Sequence, residues 1–272
     1  MNARTDLQSA KPELGLTFTR EGLKWPEPPV FASREEERAH RKIRLAACLR
    51  IFAMFGFDAG VAGHISYRDP VREDHFWVNP LGVHFSRIKV SDLVLVDHDG
   101  NIVEGKHPIN AAGYAIHSRI HRARPDVHAA AHSHSRYGTT WASLGKPLPM
   151  ISQEAAAFHD SHSVFQGYNG IAADVSEGEL ISNALGGNKM VICRNHGVFT
   201  VGGTVEEAVS WYIRAERVCE QVLLASVAGT PVEIEPEMAA RTAKQVGSAR
   251  AGWYGLQPLV DKVLAAQPDV LQ

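Results

Sequence analysis

The sequence predicts an α/β fold, and three observations predict it. Amphipathic helical segments alternate with short apolar runs of strand length along most of the chain. Start and stop signals for helices fall where the periodicity changes. The 272 residues, 44% of them hydrophobic, are enough for one sizeable core with terminal extensions. Three segments are expected: an N-terminal arm over 1–32, a central domain over 33–229 and a C-terminal extension over 230–272.

Each element has a local reason. The arm is polar and holds Pro12, Pro26, Pro28 and Pro29, with Trp25 and Phe31 as anchors to the body or to a neighbouring subunit. Ser33-Arg34-Glu35-Glu36 is a capping-box pattern, and the helix it opens carries an apolar stripe through Phe52 toward Gly56 as its stop. Strand signals follow near 61–69, 75–79 and 93–97, and Asp99-Gly100 supports a hairpin turn into Asn101-Ile102-Val103. A helix is predicted over 110–123 before Pro125, then a strand ending at the histidines described below, then a helix over 136–144 broken by Gly145-Lys146-Pro147. A loop of about twenty residues is expected next, followed by a helix from Ser176 to Leu185. Strands at 190–194 and 198–201 flank His196. Thr204-Val205-Glu206-Glu207 opens the clearest helix, which Gly229 closes. Trp253 and Tyr254 imply that the C-terminal extension packs.

Composition excludes several classes. With 28 basic and 30 acidic side chains the net charge is -2, and no basic stripe suggests nucleic acid. No apolar run approaches the roughly 18 residues of a membrane span, and the first residues lack the plan of a signal peptide. Cys48, Cys193 and Cys219 are widely spaced and sit in apolar stretches, so they read as core residues in a reducing, cytoplasmic setting.

The chemistry gathers at histidines. Val127-His128-Ala129-Ala130-Ala131 reads as a buried strand that ends in His132-Ser133-His134. Residues i and i+2 of a strand project from one face, so two imidazoles about 7 Å apart at Cβ can converge on an ion bound at about 2 Å. A third imidazole, His196, follows the apolar run Met190-Val191-Ile192-Cys193. Three neutral nitrogens with open positions beside them make a site suited to catalysis.

Val61-Ala62-Gly63-His64-Ile65-Ser66, Asn79-Pro80-Leu81-Gly82, the helix ending near His117, the His132/His134 pair and Asn195-His196-Gly197 occur in one order at characteristic distances. That pattern resembles the class II aldolase/adducin family over roughly residues 35 to 230. The resemblance implies a three-layer α/β/α fold with a largely antiparallel central sheet. It implies His132, His134 and His196 as ligands of one divalent ion per subunit, zinc first, with manganese or iron(II) as alternatives. It also implies a homo-oligomer, commonly a tetramer, acting on a small-molecule substrate.

Departures from the family pattern carry as much information. The family's sugar-phosphate aldolases place an acid/base glutamate four residues before the helix histidine, where this chain has Gly113. Ala111 and Ala112 stand where they place serines, and His64 where they place asparagine. A phosphate would lose several charge-assisted hydrogen bonds of about 1.5–3 kcal/mol each. Sugar phosphates are therefore expected to be poor ligands, with the space vacated at 111–113 left for a larger or more apolar group. Glu154 is the expected acid/base, with His159 and His162 of the same segment as alternatives. By family position Gly63, His64 and Ser66 line the substrate pocket, and His84 is a further candidate. Arg136 either holds a substrate anion or caps a helix; His117 packs on its helix; Asn195 orients His196. The expected function is a metal-dependent lyase, a decarboxylase or aldolase-like enzyme acting on a non-phosphorylated keto- or hydroxy-acid. The alternatives are a non-heme iron oxygenase performing oxidative decarboxylation and a non-catalytic adducin-like scaffold.

Overall fold

A computed structural model describes residues 26–170 and 175–272. Pro12 and Trp25 of the expected arm lie outside these residues, whereas Phe31 packs its ring 5.0 Å from that of His40. The described elements are α1 (Arg34–Met54), β1 (His64–Arg68), β2 (His75–Val78), β3 (Val94–Asp97), β4 (Ile102–Glu104), α2 (Ala111–Ala123), β5 (Ala129–Ser133), α3 (Arg136–Ala142), α4 (Gln153–Ala156), β6 (His162–Phe165), α5 (Val175–Leu185), β7 (Met190–Cys193), β8 (Gly197–Gly202), α6 (Val205–Ala228), α7 (Pro236–Val246) and α8 (Ala249–Ala266).

The local signals act as their chemistry requires. Ser33 Oγ accepts from the Glu36 amide in the first turn of α1, and the Glu36 carboxylate reaches back to accept from the Ala32 amide just before the cap. Gly56, with φ at 72°, turns the chain out of α1. Thr204 caps α6 by accepting from the Glu207 amide. Asn110 accepts from the amides of both Ala112 and Gly113 at the start of α2.

Eight strands form one sheet in the order β4-β3-β2-β1-β5-β8-β7-β6. Every pairing is antiparallel except β6 with β7, which is parallel. The segment expected as a loop of about twenty residues thus holds the short helix α4 and the edge strand β6. His162-Ser163-Val164-Phe165 has too few apolar residues to signal a strand by itself; pairing with the apolar β7 makes it one.

Alternation along the strands separates two apolar layers. Ala129, Ala131, Met190 and Ile192 face a core shared with α1 and α6, while Ala130, Val191 and Cys193 face one shared with α2 and α5. The result is the expected α/β/α sandwich, and the three cysteines are buried and unpaired. The C-terminal residues pack: Trp253, Leu256, Val260 and Val263 of α8 are buried, and the nearly buried Arg50 of α1 donates to Ile88 O and to both carboxylate oxygens of Asp269. Among the described residues no helix is long and apolar enough to cross a membrane.

The helical layer of α2 and α5 tolerates no added bulk at its crossing. A Cβ at Gly178 would lie far inside van der Waals contact with the Ala115 carbonyl oxygen, a backbone atom that cannot swing away. Gly178→Ala is expected to destabilise the protein by about 3 kcal/mol, read as a shift in the denaturant midpoint at constant slope.

Candidate metal centre

Register builds the site. In the antiparallel ladders His64 lies opposite His132, and His132 opposite Phe199, so the three rings form one row across β1, β5 and β8. Phe199 stacks on His132 with centroids 3.9 Å apart and planes 9° from parallel. His132 Nδ1 donates to the carbonyl of Val198 at 2.9 Å, which leaves Nε2 as the lone-pair nitrogen. That Nε2 is buried and has no hydrogen-bond partner.

His134 follows the last residue of β5 and is exposed, so strand geometry alone does not place it. His196 sits at the tip of the β7–β8 hairpin, where Asn195 takes a left-handed conformation with φ at 60°. At Gly197 a Cβ would approach His132 Cε1 to 3.3 Å, so a bare backbone lets the hairpin close over that ring. The three rings form a nearly equilateral triangle: centroids are 5.2 Å apart for His132 and His134, 4.7 Å for His132 and His196, and 5.1 Å for His134 and His196. One ligand nitrogen from each lies within 4.8 Å of the others. Two nitrogens each about 2 Å from a shared ion span at most about 4 Å, so a small inward movement suffices.

Burial keeps all three imidazoles in the ligating form. It lowers His134, pushes His196 down to about 4 with help from His134, and drives His132 well below its ordinary value with repulsion from His196, His64 and His134 added. Neutral nitrogen donors, one of them buried and without a partner, suit zinc or another divalent transition metal.

Around this trio the expected residues fall into groups. His64 and Ser66 face α2: His64 Nδ1 is 2.7 Å from His117 Nε2, and Ser66 Oγ lies 2.5 Å from His117 Nδ1 and 2.8 Å from His121 Nε2. His117, expected to pack on its helix, ties that helix to β1 through His64 and Ser66. The space expected to stand open at Gly113 is filled: a Cβ there would lie 2.7 Å from His64 Cδ2. The bare backbone at 113 leaves room for a histidine of the same chain. Gly63 is held against the Phe85 ring, which a Cβ would approach to 2.8 Å, and Asn79 brackets it by donating to Gly63 O and accepting from the Ile65 amide.

Other candidates have polar partners of their own. His84 Nε2 is 3.0 Å from Asp58, with Nδ1 against Ser86. Glu154 on α4 accepts from Gln221 and pairs with Arg217, both on α6. His162 takes the Leu148 amide on Nε2 and donates from Nδ1 to Phe158 O, while His159 faces Asp160. The amides that open α3 are taken by Glu216, so Arg136 is not needed as a cap; its side chain is exposed. The link missed from sequence is His117–Ser66–His121, although the spacing of two histidines four apart on one helix face was visible.

Known proteins resemble this chain over most of its length. Residues 43–223 match the model of the Class II Aldolase and Adducin N-terminal domain. Decarboxylase NovR of Streptomyces niveus is 42% identical over 246 residues, 90% of this chain and 91% of that protein. The 4-hydroxy-3-prenylphenylpyruvate oxygenase/4-hydroxy-3-prenylbenzoate synthase of Streptomyces roseochromogenus subsp. oscitans is 41% identical over 245 residues, 89% of this chain and 88% of that one. A solved structure described as L-fuculose 1-phosphate aldolase from Glaciozyma antarctica PI12 superposes with a TM-score of 0.83 at 41% identity, covering 90% of this chain and 97% of the other. With the mixed, mostly antiparallel sheet and the triangle of imidazoles, these likenesses place the chain in the class II aldolase/adducin family.

Proposed function

We propose that the protein is a metal-dependent lyase that breaks a C–C bond adjacent to the carboxylate of a non-phosphorylated keto- or hydroxy-acid, with decarboxylation as the leading reaction. The observation that carries this reading is the partnerless buried Nε2 of His132 within a cluster of three neutral imidazoles. Bound there, a divalent ion, zinc first and manganese or iron(II) otherwise, would polarise the substrate's carbonyl or carboxylate. The Val198 carbonyl holds the His132 tautomer and Phe199 holds its plane. Arg136, exposed two residues beyond His134, is assigned to the substrate's anionic group.

Identity does not choose the substrate, because relatives at 41–42% carry decarboxylase, oxygenase and sugar-phosphate aldolase names. The residues at 111–113 disfavour the last. Ala111 and Ala112 offer no hydroxyl and Gly113 no carboxylate, so a phosphate forgoes several bonds of about 1.5–3 kcal/mol. The name of the Streptomyces roseochromogenus relative favours a second reading, oxidative decarboxylation with iron(II) and O₂. An adducin-like scaffold has no use for a retained ligand triad. The family assignment further suggests a homotetramer, checked by mass photometry.

Metal content of protein purified without chelator separates the readings, together with turnover on a panel of aryl and alkyl 2-oxo and 2-hydroxy acids. Zinc or manganese with CO₂ release and no O₂ uptake is expected. Iron with stoichiometric O₂ consumption selects the oxygenase, and faster turnover of L-fuculose 1-phosphate than of any unphosphorylated acid overturns both.

A further inference from the structure

His64 stands beside the imidazole trio, its centroid 4.9 Å from that of His132, and at the end of a continuous chain of polar contacts. From the far end these are Val127 O to His121 Nδ1 at 3.3 Å, His121 Nε2 to Ser66 Oγ at 2.8 Å, Ser66 Oγ to His117 Nδ1 at 2.5 Å, and His117 Nε2 to His64 Nδ1 at 2.7 Å. His64 Nε2, the nitrogen turned away from that chain, lies 3.1 Å from where a Gly113 Cβ would be.

The chain has only one workable polarity. A carbonyl oxygen can only accept, so His121 Nδ1 must carry the hydrogen. A neutral imidazole has one donor and one acceptor, so His121 Nε2 accepts from the Ser66 hydroxyl. Ser66 Oγ then accepts from His117 Nδ1–H, and His117 Nε2 accepts from His64 Nδ1–H. The Arg68 guanidinium donates to the carbonyl of His121 and so places a fixed positive charge beside that end of the chain. The reverse polarity would point the His121 Nδ1 lone pair at the Val127 oxygen. Because the chain ends at a main-chain carbonyl, it has no proton sink and sets a tautomer instead of conducting protons.

We propose that this relay fixes His64 Nε2 as a bare hydrogen-bond acceptor over Gly113, so that the site selects acids bearing a hydroxyl next to the carboxylate. His64 meets the ligand hydroxyl; Ser66, His117 and His121 are positioning residues that act through it. The ligand class rests on the keto- and hydroxy-acid reading above, whereas the tautomer rests on the hydrogen bonds alone.

Two measurements on the full chain test it. Nitrogen-15 NMR of histidine-labelled protein, with and without zinc, should show His64 with Nδ1 protonated and Nε2 bare, and a mixture of tautomers in Ser66→Ala. Calorimetry of the zinc-loaded protein should show mandelate binding at least about tenfold tighter than O-methylmandelate. In Ser66→Ala that preference should fall below about threefold. Ser66 is fully buried, so a purely steric penalty on the methyl group would persist in that variant. A protonated Nε2 in the unaltered protein overturns the relay whichever acid binds. Equal affinities with a bare Nε2 overturn hydroxyl selection alone. A bare Nε2 with neither acid bound overturns hydroxyl selection together with the hydroxy-acid reading of the site.

Discussion

His132→Ala is expected to abolish metal loading and to lower turnover by roughly a thousandfold or more. Losing a residue that only orients a ligand costs about 10–100-fold, and His132 is the proposed ligand whose nitrogen is most completely withdrawn from water. His134 is exposed and His196 partly so, and water can satisfy their nitrogens in the absence of an ion. His134→Ala should therefore weaken metal binding less than His132→Ala does. Stability of the metal-free protein should fall on replacing His132, because the Phe199 stack and the hydrogen bond to Val198 O are lost and a cavity is left. Removing a buried nitrogen without a partner offsets only part of that loss. Metal analysis, turnover and melting temperature of the three single variants check this together. Full metal occupancy in His132→Ala would remove the basis for the proposed chemistry.

The second large effect is with acid. His64, His117, His121 and His132 are buried within one connected region, and burial lowers all four, His117 to about 3. In the unfolded chain each titrates near its ordinary value of about 6.5. Between that value and the lowered one the unfolded state binds more protons, so stability is complete above about pH 6.5 and falls as the pH drops toward 3. At about 1.4 kcal/mol per unit, His117 alone accounts for roughly 5 kcal/mol at the acid end, and the set should take up more than about one proton on unfolding near pH 5. Metal should be released in the same window, since a protonated imidazole cannot ligate. Urea titrations from about pH 8 to pH 4.5, with and without zinc, give the slope. Stability that stays flat between about pH 7 and pH 5 would mean that these rings are not held neutral.

Local chemistry made much of this legible in the sequence. Ser33, Thr204, Gly56 and Gly229 mark helix ends through contacts within a few residues, and the structure places α1 and α6 within about two residues of their signals. His132 and His196 were recognisable because each ends an apolar run of strand length. The antiparallel character of the sheet followed from family likeness, not from periodicity, since an apolar run does not state its partner's direction. β6 was missed because its sequence has no strand pattern until β7 supplies one.

Position 113 shows the limit most clearly. That Gly113 lacks a carboxylate is plain in the sequence; that His64 fills the space is not, because the two are brought together only when β1 pairs with β5 and α2 lies across them. The sequence by itself determined which side chains can ligate, cap and turn, since those properties depend on residue type and near neighbours. Only the tertiary structure decided that His64 faces His132, that Ser66 joins two histidines of α2 and that Glu154 is tied to α6. Strand register and helix packing are long-range contacts, and a shift of one residue would have turned each of those strand side chains to the opposite face.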